Sequence, residues 1–297
     1  MRPDICIYHA PCQDGFTAAW AIWKRWPDVE FVPGVYGQAP PDVAGKHVLI
    51  VDFSYKRPVL QEMGRSAASI TILDHHKTAE ADLAPFKVQF FYRSPETYVD
   101  EGLDGLSGPY PIQAHFDMEK SGAVLAWEYA HPGEPIPRLA LHVQDRDLWR
   151  FELPNTREIA AAIFSHDYSF RQWDALANQL ALIPDDVVLE GEAIERKHHK
   201  DIAELLRLCT REMVIGGYRV RVANLPYTLS SDGANALAKG QPFGACYYDN
   251  AEGKRVFSLR SQADGGIDVS AVAAAYGGGG HQHAAGFTAP RGWEGDL

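Results

Sequence analysis

Cysteine is scarce in this chain of 297 residues: four, Cys6, Cys12, Cys209 and Cys246, with no CxxC pair among them. No paired-cysteine motif arises, and free thiols in a reducing cytoplasm are the expected setting. Long apolar runs are missing too. No stretch approaches the roughly 18 residues that span a bilayer, so neither a transmembrane helix nor a membrane partner is expected. Met1-Arg-Pro-Asp4 leads directly into the strand-like Ile5-Cys-Ile-Tyr8, too short and polar a start for a secretion signal. Basic charge is the third shortage, with 28 Lys and Arg against 39 Asp and Glu and a net charge of −11. A protein that grips long nucleic acid through its phosphates normally shows a basic surface. Tight non-specific polynucleotide binding is therefore disfavoured. The acidic excess fits carboxylates that hold cations, and it fits a solvated acidic surface equally.

The apolar residues are arranged as an α/β protein. Ile70-Thr-Ile-Leu73 reads as a strand buried on both faces, the kind found inside parallel sheets, and it runs into Asp74-His75-His76. Ile5–Tyr8 is a second such strand, followed by His9-Ala-Pro-Cys-Gln-Asp14-Gly15 and a helical spacing at Phe16, Ala19, Trp20 and Trp23 that Pro27 stops. Gly15 is expected to turn the backbone tightly so that His9 and Asp14 face one point. His47-Val-Leu-Ile-Val51 is a third strand and ends in Asp52. Strand ends on one edge of a parallel sheet are where ligands of open α/β folds bind.

The apolar segment from Leu139 ends in Asp145 and Asp147, which serve chemistry or pair with Arg146 and Arg150 on the surface. Residues 93–115, rich in Gly, Pro and Asp, read as a long loop, and Ser121 as a helix N-cap. An amphipathic helix is expected from Asp185 to Met213, with His198 and His199 on a solvated face. The division is then 1–183 for a parallel-sheet domain, 184–215 for a linker helix and 216–297 for a smaller α/β domain. The last contains Gly277-Gly-Gly-Gly-His281, whose backbone N–H groups can cradle a phosphate or which is a plain flexible loop.

His9, Asp14, Asp52, His75 and Asp145 make a mixed oxygen and nitrogen set suited to Mn²⁺, Fe²⁺ or Zn²⁺. Five ligands suffice for two ions if Asp52 bridges them, and ions about 3.5–4 Å apart stabilise both oxygens of an in-line phosphoryl displacement. Hydrolysis of a phosphate ester or anhydride is the expected chemistry.

Taken in order, the His9…Asp14-Gly15 turn, Asp52, Asp74-His75-His76, Asp145 and Gly-Gly-Gly-His281-x-x-Ala-Ala-Gly286 resemble the DHH phosphoesterase superfamily. The likeness is greatest to its bacterial oligoribonucleases (nanoRNases), in the branch with a cysteine in the first motif. The resemblance implies that His9 and Asp52 hold one Mn²⁺, and Asp14, Asp52, His75 and Asp145 the other. It implies that His76 contacts the scissile phosphate or assists the leaving oxygen, that Asp74 orients an imidazole, and that Arg260, Ser261, Gly279, Gly280 and His281 grip a terminal phosphate or neighbouring nucleotide. Substrate is then expected in a cleft between the domains. Cys12 stands near where many members carry an aspartate, and it is either a soft ligand or a small buried residue.

The expected activity is that of a cytoplasmic phosphodiesterase, of 3′-5′ or 5′-3′ exonuclease type, degrading short RNA to mononucleotides; a homodimer is admitted. A cyclic dinucleotide, a nucleotide 3′-phosphate or pyrophosphate is the alternative substrate. A non-catalytic nucleotide-binding module is the reading from another class.

Overall fold

The computed structural model describes residues 2–88 and 111–296. Two compact units divide at Glu195 and Arg196. In the first, five parallel strands run in the order β2-β1-β3-β4-β5: β1 Ile5–His9, β2 Glu30–Gly34, β3 His47–Val51, β4 Ser69–Asp74 and β5 Ile112–Phe116. Alternation along each strand sorts its side chains between two cores. Cys6, Leu49, Val51 and Leu73 join Trp20, Leu125, Trp127 and Trp173 on one face. Ile5, Ile7, Val48, Ile50, Ile70 and Ile72 join Leu60 and Ile112 on the other. Each face is covered by helices: α1 (Gln13–Arg25), α4 (Gly122–Ala130), α5 (Arg138–Asp147), α6 (Thr156–Phe164) and α7 (Phe170–Leu182) on the first, α2 (Arg57–Met63) and α3 (Lys77–Asp82) on the second.

The strand order reverses between β1 and β3, because the chain leaves β1 for β2 on one side and β3 for β4 on the other. In open α/β sheets that reversal opens a crevice beyond the carboxyl ends of the strands. His9 closes β1, Asp52 follows β3, and both border this point.

Gly15 lies within the first turn of α1, not in the polar turn where the sequence suggested it. Its requirement is close approach, since a Cβ there would lie 2.3 Å from the His9 carbonyl oxygen. Ser121 caps α4 as expected, its hydroxyl accepting from the Val124 N–H at 3.4 Å. Of the loop expected over 93–115, the last residues instead begin β5 at Ile112, and the remainder to 110 lies outside the described residues.

Helix α8 runs from Pro184 to Cys209, shorter than the expected 185–213. Thr210–Ile215 is strand β6, paired with β7 (Tyr218–Asn224) across the Gly216-Gly217 turn, where both glycines have positive φ. The second sheet therefore begins within the segment assigned to the linker. It has the order β10-β11-β9-β8-β7-β6, completed by β8 (Gly244–Asp249), β9 (Lys254–Arg260), β10 (Gly279–His281) and β11 (Ala284–Pro290). Among the described residues of this sheet only the β7–β8 pair is parallel, and its crossover carries α9 (Ser230–Leu237).

The glycine run has a structural account. Helix α10 (Val269–Ala275) ends with the Gly277 N–H on the Ala274 carbonyl and the Gly278 N–H on that of Ala273, a Schellman pair with Gly277 at φ 78°. Gly279 and Gly280 then pair with Gly286 and Ala285 in β10. A Cβ at Gly278 would meet the Gly286 oxygen at 2.1 Å, and one at Gly280 the Ala284 oxygen at 2.5 Å. The run is a tight strand start, which corrects the open-loop alternative.

Gly15→Ala is expected to lower unfolding free energy by about 1–3 kcal/mol, the range for forced overpacking. Urea denaturation of the two proteins measures it.

Candidate metal centre

Asp52 sits at φ 54°, a left-handed conformation that a non-glycine residue holds at a cost of roughly 1–3 kcal/mol. Its own N–H donates to the Leu73 carbonyl at 2.9 Å, which pins the turn to the end of β4. The carboxylate thereby faces two ways. Oδ1 lies 3.0 Å from His75 Nε2, while Oδ2 lies 3.3 Å from His9 Nδ1 and 3.5 Å from Cys12 Sγ. Asp14 arrives from the first turn of α1. Its carboxylate accepts the N–H groups of Gly122 (2.6 Å) and Ala123 (3.0 Å) at the start of α4, an anion held at a helix N-terminus. Gly122 must be glycine for this contact, because a Cβ would fall 2.4 Å from Asp52 Cβ.

His75 Nε2 lies among three carboxylates: Asp52 at 3.0 Å, and Asp14 Oδ2 and Asp147 Oδ2 each at 3.6 Å. One N–H cannot satisfy three carboxylates, so negative charge is left in excess. Burial alone would raise the Asp52 carboxyl, but the hydrogen bonds and charge of His75 and His9 hold it well below the ordinary range. Asp14 moves the other way, pushed well up by burial and by the charges of Asp52 and Asp147. Burial opposes the charge on His75, yet the Asp52 hydrogen bond and the surrounding carboxylates raise it to about 10. His75 thus balances part of the carboxylate charge. Asp74 Oδ2 is also buried without a hydrogen-bond partner among the described residues. The donor set fits divalent ions, and within the first unit it forms three groups that share Asp52: Asp14-Asp52-His75, His9-Cys12-Asp52 and Asp52-Asp74-His76.

Asp145 is not in this cluster, and the expectation that it is a ligand is corrected. The segment is helix α5, not a strand end, and residues two apart on a helix point about 200° apart. Asp147 faces His75, whereas Asp145 faces the loop that follows. The Asp145 carboxylate accepts the N–H groups of Glu152 (2.9 Å) and Leu153 (3.0 Å) and the hydroxyl of Thr156 (2.5 Å). Its carbonyl accepts from Arg150 and Phe151. These bonds hold a loop in which Trp149, Phe151 and Asn155 all have positive φ. The Thr156 hydroxyl, which donates to Asp145, lies 2.9 Å from His142 Nδ1 and so accepts its proton. Burial and the Arg138 charge lower His142 to about 4, so it is neutral in the fold.

His76 and Asp74 are in direct contact. Asp74 Oδ1 accepts from His76 Nδ1 at 2.7 Å and from the backbone N–H groups of His75 (2.8 Å) and His76 (3.3 Å). That contact places the His76 proton on Nδ1. Burial opposes its second proton, but the Asp74 charge and bond prevail and raise it. Sequence reading missed Asp147 as the facing carboxylate and Tyr36, a 55% exposed ring 5.2 Å from that of His9.

In the second unit, the Arg260 guanidinium donates to Ser258 Oγ (3.1 Å), the Leu259 carbonyl (2.8 Å) and Ser231 Oγ (2.7 Å). Ser261 is buried, and its hydroxyl donates to the Ile267 carbonyl and accepts from His283. Its proton is committed inside the fold, to the Ile267 carbonyl. His281 ends β10 and is half-buried. His198, expected on a solvated face, instead lies 3.0 Å from Asp232 Oδ2.

No known family's sequence profile matches the chain. It is 28% identical to an uncharacterized protein of Acanthamoeba polyphaga mimivirus, over 96% of this chain and 67% of that one. Solved structures similar to it include an uncharacterized protein from Helicobacter pylori G27 (15% identity, TM-score 0.43, covering 98% of this chain and 93% of that one). A pGpG-specific phosphodiesterase, PggH, from Vibrio cholerae follows at 14% identity and TM-score 0.45, with 96% and 93% covered. The DHH domain of a member of the s1p family of ribosomal proteins stands at 15% and 0.47, with 98% and 83% covered.

Asp145→Asn is expected to cost about 1–3 kcal/mol of stability, the range for unsatisfied buried hydrogen-bonding groups, with Mn²⁺ affinity largely retained. Asp147→Asn should do the reverse, losing affinity while stability holds or rises. Thermal unfolding and calorimetric Mn²⁺ titration of both separate the roles. A further expectation concerns pH. The neutral His142 contributes stability in full above its unfolded value near 6.5, and that contribution declines as pH falls toward about 4. Unfolding free energy measured across this window should carry a slope that His142→Asn reduces.

Proposed function

We propose that this chain is a DHH-superfamily phosphodiesterase, close to the nanoRNase branch, that hydrolyses short RNA oligonucleotides to mononucleotides with two divalent ions, Mn²⁺ foremost. The observation that carries this reading is the two-sided use of Asp52, with Oδ2 toward His9 and Cys12 and Oδ1 toward His75. A carboxylate so placed suits a bridge. His9 and Asp52 would hold one ion, and Asp14, Asp52, His75 and Asp147 the other. When bound, such a pair supplies an acidified water and balances charge on the attacking and leaving oxygens of an in-line displacement.

The side chains divide the remaining work. His76, with Nδ1 held by Asp74, would use Nε2 to contact the phosphate or to protonate the leaving oxygen. Asp74 keeps that ring in one tautomer and orientation. Aromatic surfaces favour a nucleotide over bare pyrophosphate, since every base offers a π-face for stacking. Tyr36 stands exposed beside His9, and Trp149 and Phe151 follow Asp147 with Arg146 4.5 Å above the Trp149 ring and Arg157 3.5 Å above that of Phe151. In the second unit, Arg260, His281 and the backbone of Gly279 and Gly280 are proposed to take the terminal phosphate. The net charge of −11 supports short substrates over long polymers.

Mn²⁺-dependent turnover of a labelled RNA dinucleotide, a long RNA, a cyclic dinucleotide and pyrophosphate, measured side by side, tests the proposal. Rapid cleavage of the dinucleotide, slow attack on the long RNA and no turnover by His75→Ala or Asp52→Ala are expected. Exclusive cleavage of the cyclic dinucleotide or of pyrophosphate overturns the substrate assignment, and wild-type turnover by Asp52→Ala overturns the bridging role. His281→Ala should raise KM while leaving kcat near that of the wild type.

A further inference from the structure

Among the free cysteines, Cys12 has a different environment. Cys6 and Cys246 are fully buried among apolar neighbours, as small hydrophobes are. Cys12 instead directs Sγ at the Asp52 carboxylate, 3.5 Å from Oδ2, on the side that His9 Nδ1 approaches to 3.3 Å. It also stands at the N-cap of α1, a position favoured by Ser, Thr, Asp and Asn because their oxygens bond the first helical N–H groups. The Cys12 sulfur makes no cap bond of ordinary geometry, although the Gly15 N–H in the first turn is directed toward it. The sulfur therefore faces the carboxylate centre, where its S–H donates to Asp52, and not the apolar core.

We propose that Cys12 is a thiolate ligand of the ion held by His9 and Asp52, so that this half of the centre is a nitrogen, sulfur and oxygen site for a borderline ion such as Zn²⁺. The inference rests on the proposed metal centre and specifies the chemistry of one half of it. The separations agree with the geometry of such a site. Zinc bonds of about 2.3 Å to sulfur and about 2.0–2.2 Å to nitrogen and oxygen, at a tetrahedral angle, place S and O about 3.6 Å apart and N and O about 3.4 Å apart. The observed edges are 3.5 and 3.3 Å, and all three donor atoms lie within 4.8 Å of one another. Three protein ligands leave a fourth position, the arrangement of sites that also bind water or substrate. The His9 side chain, at 22% exposure, leaves the centre accessible from solvent.

Binding exchanges one bond for another: the Cys12 S–H bond breaks, a sulfur–metal bond forms, and the proton leaves to solvent. No oxidant or reductant takes part. The Asp14-Asp52-His75 half, with Asp147 beside it, offers carboxylates and one imidazole and keeps its preference for a harder ion. The two halves then differ in metal selectivity although Asp52 belongs to both.

The test is titration of the metal-depleted full chain with Co²⁺ and with Cd²⁺, followed by thiolate-to-metal charge-transfer absorption. The band is expected in the wild type and in Cys209→Ser, and not in Cys12→Ser. Zn²⁺ affinity should fall in Cys12→Ser by at least the roughly 10–100-fold that outer-shell partners are worth, and Cys12→Asp should shift preference from Zn²⁺ toward Mn²⁺. In the unmutated protein, bound Zn²⁺ should protect Cys12 from alkylation, read by mass spectrometry, which does not depend on a variant folding. Ion binding with no charge-transfer band and no protection overturns the Cys12 assignment and leaves the metal centre standing. Failure of the wild type to bind any of these ions overturns both.

Discussion

The Asp52 carboxylate contacts His9, Cys12 and His75, and it does so from a backbone conformation that opposes it. A non-glycine residue at φ 54° persists when its surroundings over-determine it. Here the determinants are the N–H bond to Leu73, the imidazoles on either oxygen, and Gly122 pressed against Cβ. In an extended conformation the side chain would stand on one face of the sheet. The left-handed turn aims it across the crevice between β1 and β3 instead. The position of strain and the position of chemistry coincide.

Helix α4 links that site to the core. Its first N–H groups hold Asp14, its glycine admits Asp52, and its apolar residues Leu125 and Trp127 are buried with Trp20 of α1. The Trp20 and Trp127 rings stack at 5.7 Å. Moving α4 would therefore disturb both a carboxylate and a large apolar contact. The helix N-terminus also offsets part of the charge on Asp14, which three carboxylates in a buried volume would otherwise leave uncompensated.

Strands β1, β3 and β4 were legible because aliphatic runs ended abruptly in Asp or His, whereas β5 was hidden in a stretch that read as loop. Asp52, Asp74 and His75 needed no further signal, since a parallel sheet brings such ends to one edge. Asp145 and Asp147 were harder. Leu139–Val143 is a short apolar run, and periodicity over so few residues does not separate a strand from a helix. Only the helix sends the two carboxylates to opposite faces. The glycine run failed to read for a related reason: the backbone of β11 that Gly278 and Gly280 must approach is set by tertiary pairing, which sequence composition does not carry. Tyr36 had no pattern at all, being one ring in a Gly- and Pro-rich loop.

The division between Asp145 and Asp147 also shows how stability and chemistry share one helix end. Carboxylates near a helix C-terminus face the negative pole of the helix and gain nothing from it. Asp145 is compensated by backbone N–H groups and Thr156, and in return fixes the strained loop of Trp149 and Phe151. Asp147 has the same unfavourable position, but its nearest positive group is His75, which Asp52 already engages at shorter range. Asp147 shares the charge of His75 with Asp52 and draws further on His76 and Arg146, so a cation bound there would add to a compensation that burial and Asp52 oppose. The contrast between the two aspartates is thus a physical argument, independent of any motif, that this end of the sheet is built to receive positive charge.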